Sequence, residues 1–126
     1  MRRFRPQRPD KIDFATTDGS IDVSGKGNYT GTILYRKTTE GLVWAEGSLT
    51  RTSGNVTSGD YILNANNPLP AELMPAYSNV YLMAGAASFY CKVQLLATGA
   101  ISVAGLITGS LNVTSTNIRF NAVWVV

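Results

Sequence analysis

The chain has 126 residues, enough for one domain with a buried core, and its hydrophobic fraction of 44% is ordinary for a globular protein. There is no histidine, which excludes Ser/His and Cys/His nucleophile pairs and His-ligated metal sites, and one cysteine, Cys91, which excludes an internal disulfide or a Cys-x-x-Cys cluster. The net charge of +3 is concentrated at the start, because Arg2, Arg3, Arg5, Arg8 and Lys11 stand beside Asp10 and leave 6 basic against 7 acidic groups in the remainder.

Residues 1–11, with Pro6 and Pro9, read as an irregular arm. No apolar stretch follows the arginines to serve as the core of a signal peptide, so export by that route is not expected. No apolar run approaches the ~18 residues that cross a bilayer, since the most apolar region, 77–109, is broken by Ser78, Asn79, Ser88, Lys92 and Gln94. A protein without a membrane partner is expected.

Lys11 to Ala15 alternates polar and apolar residues as a short strand would, Thr17-Asp-Gly-Ser reads as a turn before Ile21-Asp-Val, and Ser24-Gly-Lys-Gly-Asn28 reads as a link. Strands are expected at Thr32–Lys37, Leu42–Thr50 and Asn55–Asn64, each bounded by Gly, Asn, Ser or Thr. Asn66 to Pro75 holds three prolines and is a loop with room for one helical turn at Ala71–Met74. Period-two alternation is clearest in Val80–Ala84, Phe89–Leu95 and Ile118–Val126, and Gly105 marks a bulge or close approach within Ala100–Ile107. The sum is an all-β fold of about eight strands, a sandwich or barrel. Val123 and Val125 are apolar opposite Trp124 and Val126, so burial of a second face by another sheet or subunit is expected.

Candidate chemistry is sparse. The eight carboxylates form no recognisable glycosidase pair, and no catalytic residue is assigned. Asp18-Gly-Ser-Ile-Asp22 lacks the further ligands of a calcium loop, and Gly25-Lys-Gly lacks the phosphate-loop pattern, so neither metal nor cofactor is expected. Cys91 falls in phase with Phe89 and Val93, as a buried small hydrophobe would. Tyr61 (beside Asp60), Tyr77, Tyr81 and Tyr90 fall near strand ends or among polar neighbours, where a ring can face a sugar while polar groups meet its hydroxyls; the same rings could instead cover the sheet or line a subunit contact.

From Tyr29 to the C-terminus the order of features resembles the receptor-binding head domains at the tail tip of tailed bacteriophages that infect lactococci and related Gram-positive bacteria. The resemblance rests on Leu42-Val-Trp-Ala-Glu-Gly-Ser-Leu49, the proline-bracketed Asn67-Pro-Leu-Pro-Ala-Glu-Leu-Met-Pro75, and the strand pair Val80–Ala84 and Phe89–Leu95 across Gly85-Ala-Ala-Ser88. It continues through Gly99-Ala-Ile-Ser-Val-Ala-Gly-Leu-Ile and the closing strand Asn117–Val126. It implies a jelly-roll-like antiparallel β-barrel, a homotrimer, no catalysis, and a virion protein of the tail tip made in the host cytoplasm. Residues 1–28 would be a basic arm and neck-like segment contacting other baseplate or tail proteins, and 29–126 the head. The implied ligand is a host cell-wall saccharide or glycerol phosphate polymer, met at Tyr90 and Lys92, with Tyr81, Asp60 and Tyr61 as further saccharide-binding candidates. The sequence departs from such heads in having no histidine and no tryptophan in the nearby loop. The alternative is a viral coat or tail structural protein whose arm, Arg2 to Arg8, binds nucleic acid through its phosphates.

Overall fold

Where polar and apolar residues alternate with period two, the chain forms strands. The computed structural model describes residues 15–85, 89–108 and 116–126, and for 79–85, 89–91 and 104–108 the strand backbone alone. Eight strands run in chain order: β1 (Thr16–Asp22), β2 (Tyr29–Thr38), β3 (Leu42–Arg51), β4 (Tyr61–Leu63), β5 (Asn79–Gly85), β6 (Phe89–Leu95), β7 (Ile101–Thr108) and β8 (Asn117–Val125). A 3₁₀ turn at Ala71–Leu73 lies in the proline-bracketed loop, where the sequence left room for it.

All pairings are antiparallel, in the order β1-β2-β3-β8-β5-β6-β7-β4. Two four-stranded halves result. Within the first, β3 and β8 pair from Leu42↔Val125 to Thr50↔Asn117; between the halves, β5 meets β8 only at Ala84↔Arg119 and Gly85↔Ile118. Strands β5, β6 and β7 are successive hairpin neighbours and β8 returns beside β5, a Greek key. The pairing of β6 with β7 slips between Lys92↔Gly105 and Val93↔Val103, beside the glycine expected to mark a bulge.

The all-β antiparallel expectation is met, while the ladder stays open, with β1 and β4 at its ends. The link between β1 and β2 lies against β4. The Asn28 N–H donates to the Tyr61 carbonyl at 2.7 Å and the Asn64 N–H to the Lys26 carbonyl at 2.8 Å, while Asn28 Oδ1 accepts from the Tyr61 N–H at 2.8 Å. Backbone groups that an edge strand would leave to solvent are satisfied there.

One apolar cluster fills the interior. Val43, Ala45 and Leu49 of β3 and Ile118, Phe120, Ala122 and Trp124 of β8 point into it, with Val93 and Leu95 from the second half. The buried Trp124 Nε1–H donates to the Leu73 carbonyl at 2.7 Å, tying the 3₁₀ turn to β8. Of the positions expected to share the Val93 face, Phe89 and Cys91 have side chains outside the described residues.

Three expectations need correction. Thr17-Asp-Gly-Ser is not a turn but lies inside β1: Gly19 sits opposite Tyr35, whose ring occupies the space a Cβ would take, and Asp18 pairs with Arg36 across the strands. A residue pair that reads as a turn along the chain is here a glycine covered by a cross-strand aromatic. The strand expected over Asn55–Asn64 shrinks to Tyr61–Leu63, because Asp60 turns inward and closes a loop with Thr57. The boundary at residue 28 also moves, since β1 pairs with β2 over seven residues and Ile21 and Val23 are buried in the common core. The hairpin from β2 to β3 turns at Thr39–Gly41, where Gly41 takes φ +93°, a conformation that L side chains rarely adopt.

A chain beginning at Tyr29 should therefore fail to unfold cooperatively, having lost β1 and two buried side chains worth about 1.5–3 kcal/mol each. One beginning at Asp10 should melt like the full chain. Thermal melts followed by circular dichroism check this, and a cooperative 29–126 fragment would restore the boundary at 28.

Candidate functional site

Alternation along β3 sends Val43, Ala45, Gly47 and Leu49 inward and Trp44, Glu46, Ser48 and Thr50 outward. Strands β2 and β8 do the same, exposing Leu34 and Arg36 on one and Arg119, Asn121, Val123 and Val125 on the other. Register sets these residues in rows across the first half: Arg36, Trp44 and Val123; Leu34, Glu46 and Asn121; Thr32, Ser48 and Arg119. Residues directly opposite on one face are neighbours, so each row is a contiguous strip.

The first two rows line an open groove of about 690 Å³. Large apolar side chains stand out of it, Leu34 being 52% exposed, Trp44 45% and Val123 45%. The second face expected to be apolar on β8 is thus exposed at Val123 and Val125. At one rim Arg36 Nε donates to Asp18 Oδ1 at 2.7 Å and Nη2 to Oδ2 at 3.0 Å, a bidentate pair in solvent. Those hydrogen bonds, with the guanidinium charge, hold the Asp18 carboxyl below the usual carboxylate range. A second groove of about 460 Å³ continues from the first, sharing Leu34, Glu46 and Asn121 and adding Thr32, Ser48 and Arg119.

A different cluster lies inside. Asp60, 5% exposed, accepts from Tyr29 Oη at 2.8 Å, from Arg51 Nε at 2.7 Å and Nη2 at 2.8 Å, and from the Thr57 N–H at 2.9 Å. Arg51 also donates to the Ser53 carbonyl. Burial alone would raise the Asp60 carboxyl, but the hydrogen bonds from Arg51, Thr57 and Tyr29 and the Arg51 charge outweigh it and hold the group below its ordinary value.

Of the saccharide candidates with described side chains, Tyr61 and Lys92 are exposed on the second half and Asp60 does not join them. Asp60 is spent on this interior cluster and offers no open carboxylate to a ligand. Tyr61 is exposed on β4, opposite Ser102, which in turn stands opposite Gln94; Lys92 is exposed two residues from Gln94. Position 90, opposite Ala84, alternates onto the Lys92 face, whereas position 81 stands opposite the buried Val93 on the other. The side chains of Tyr81 and Tyr90 lie outside the described residues, as do Arg2, Arg3, Arg5 and Arg8, on which the nucleic-acid alternative rests. Asp18 and Asp22, weighed as metal ligands, are engaged by Arg36 and by the Ser24 N–H at 3.0 Å, and among the described residues no three His, Cys, Asp or Glu side chains cluster.

Sequence reasoning passed over Leu34, Trp44, Glu46 and Asn121. One signal was present: Trp44 falls in phase with Glu46 and Ser48, the polar side of its strand. No protein-family model matches the chain, and no curated protein matches it. Among the described residues no helix is long and apolar enough to cross a membrane.

Replacing Asp60 by Asn should cost about 3 kcal/mol, since Arg51 loses its buried partner. Because the folded carboxyl titrates below its unfolded value near 4, its contribution is complete above about pH 4 and disappears as pH falls through the folded value. Denaturant melts should show wild type and Asp60→Asn converging in strong acid and differing at neutral pH; a constant gap would remove Asp60 from acid sensitivity.

Proposed function

We propose that this protein is a non-catalytic attachment head that binds a host cell-surface saccharide, a virion component at a phage tail tip. The observation that carries the reading is Trp44, exposed on an open sheet face with Glu46 and Asn121 beside it. A pyranose presents an apolar face that stacks on an indole and a ring of hydroxyls that carboxylate and amide groups bind, and this face offers both kinds of contact at neighbouring register positions.

The order of features from Tyr29 to the C-terminus supports the phage context, as does the scarcity of groups able to carry acid, base or nucleophile chemistry. The reading includes a trimer of jelly-roll-like heads joined to baseplate or tail proteins through the N-terminal segment. Tyr61 and Lys92 on the second half are a further polar face, suited to a glycerol phosphate through the lysine.

In light scattering, three copies of the 13.5 kDa chain should give about 40 kDa. Purified walls of a susceptible Gram-positive host should retain the protein, and Trp44→Ala should weaken retention about tenfold while leaving the melting temperature unchanged. A monomer at micromolar concentration would end the trimer reading, and a panel of host walls and glycans with no binder would end the attachment reading.

A further inference from the structure

Three rows of one sheet face differ in chemistry along the strand direction. Trp44 and Val123 form an apolar row, Glu46 and Asn121 a hydrogen-bonding row, and Ser48 and Arg119 a cationic row. Successive rows are two residues apart, so Trp44 and Ser48 are separated by roughly 13 Å of strand. All six residues except Ser48 and Arg119 line the larger groove; those two line its continuation, which Glu46 and Asn121 also border. Among the described residues, none forms a hydrogen bond or ion pair with the side chains of Glu46, Asn121 or Arg119, whereas Arg36 is held by Asp18.

We infer that this face takes an acidic oligosaccharide in a single orientation, with a neutral pyranose on Trp44 and the anionic substituent of a following unit on Arg119. The inference rests on the saccharide-binding reading above and adds the ligand's charge and direction. Arg119 supplies a planar fork of donors that fits a carboxylate or a phosphate, and it is the cation on these three rows not already neutralised. Glu46, in the middle row, accepts from the hydroxyls of the ring between, while at the Trp44 end Asp18 already holds the Arg36 guanidinium and repels an anion placed there. The reversed ligand is thereby rejected as well as the correct one favoured. Thr32 and Ser48 add hydroxyls around the arginine. The shared chemistry is an anion on a sugar chain, which a uronate carboxylate or a phosphodiester can supply.

The test uses the full chain and isothermal titration calorimetry with three probes at low salt: a galactotetraose ending in one galacturonate, neutral galactotetraose and a galactotetraose ending in one glycerol phosphate. At least one anionic probe should bind about tenfold more tightly than the neutral one, because a charge-assisted contact is added. Arg119→Gln should erase that preference while leaving neutral binding in place, and Trp44→Ala should weaken both. The anionic probe that shows the Arg119-dependent gain identifies the source of the anion. Equal binding of neutral and acidic probes, or a preference that survives Arg119→Gln, would overturn the inference. Host walls that retain Arg119→Gln as tightly as wild type while releasing Trp44→Ala would overturn it and leave the attachment reading intact. A probe preference without any wall binding would have the opposite meaning. Scattering on the same variants supplies the last control: if Trp44→Ala changes the oligomer mass, the face is a contact between copies and the inference falls.

Discussion

Strand β8 returns from the end of the chain to pair with β3 over nine residues, and both sides of the molecule follow from that pairing. On the inner side it brings Ile118, Phe120, Ala122 and Trp124 over Val43, Ala45 and Leu49, which supplies much of the apolar contact in the first half. Phe120 faces Gly47, where its ring takes the place of a side chain, so the pair interlocks only in this register. On the outer side the same register sets Trp44 beside Val123, Glu46 beside Asn121 and Ser48 beside Arg119. A slip of one residue would exchange the two sides and destroy core and groove together.

The Asp60 cluster performs a different task at the far end of β3. Arg51 ends that strand, Tyr29 begins β2, and Thr57 lies in the loop before β4; one carboxylate gathers all three. With a short β4 and an open ladder, little strand pairing holds this corner. A buried carboxylate with every hydrogen bond made fixes the loop geometry, at the risk that losing one partner leaves the rest buried and unsatisfied.

The groove face sets large apolar side chains beside polar and charged ones. An exposed sheet face is normally polar, yet Leu34, Trp44, Val123 and Val125 are all at least 45% exposed on this one. Apolar rings alone would favour indiscriminate association, and charges alone would bind weakly in water. Their alternation by row gives stacking area with hydrogen-bonding positions at its border, the combination on which the proposed saccharide reading rests.

The sequence by itself determined the all-β class, six of the strand positions closely, the helical turn in the proline loop and the glycine-associated irregularity in β7, because each depends on local periodicity or backbone chemistry. The 3₁₀ turn at Ala71–Leu73 follows from prolines on both sides, and β8 from an unbroken alternation. What it could not determine was strand order and register. Asp18-Gly19 looked like a turn because the Tyr35 ring that covers the glycine is sixteen residues away. Asp60 looked like an open sugar ligand because Arg51 and Tyr29 reach it only through the tertiary fold. Tyr81 and Tyr90 are both one residue out of step with apolar neighbours, yet the pairing of β5 with β6 puts their positions on opposite faces. Trp44 was visible on the polar side of its strand, but its partners Val123 and Asn121 come from a strand more than seventy residues later, and only the fold of the whole chain makes them neighbours.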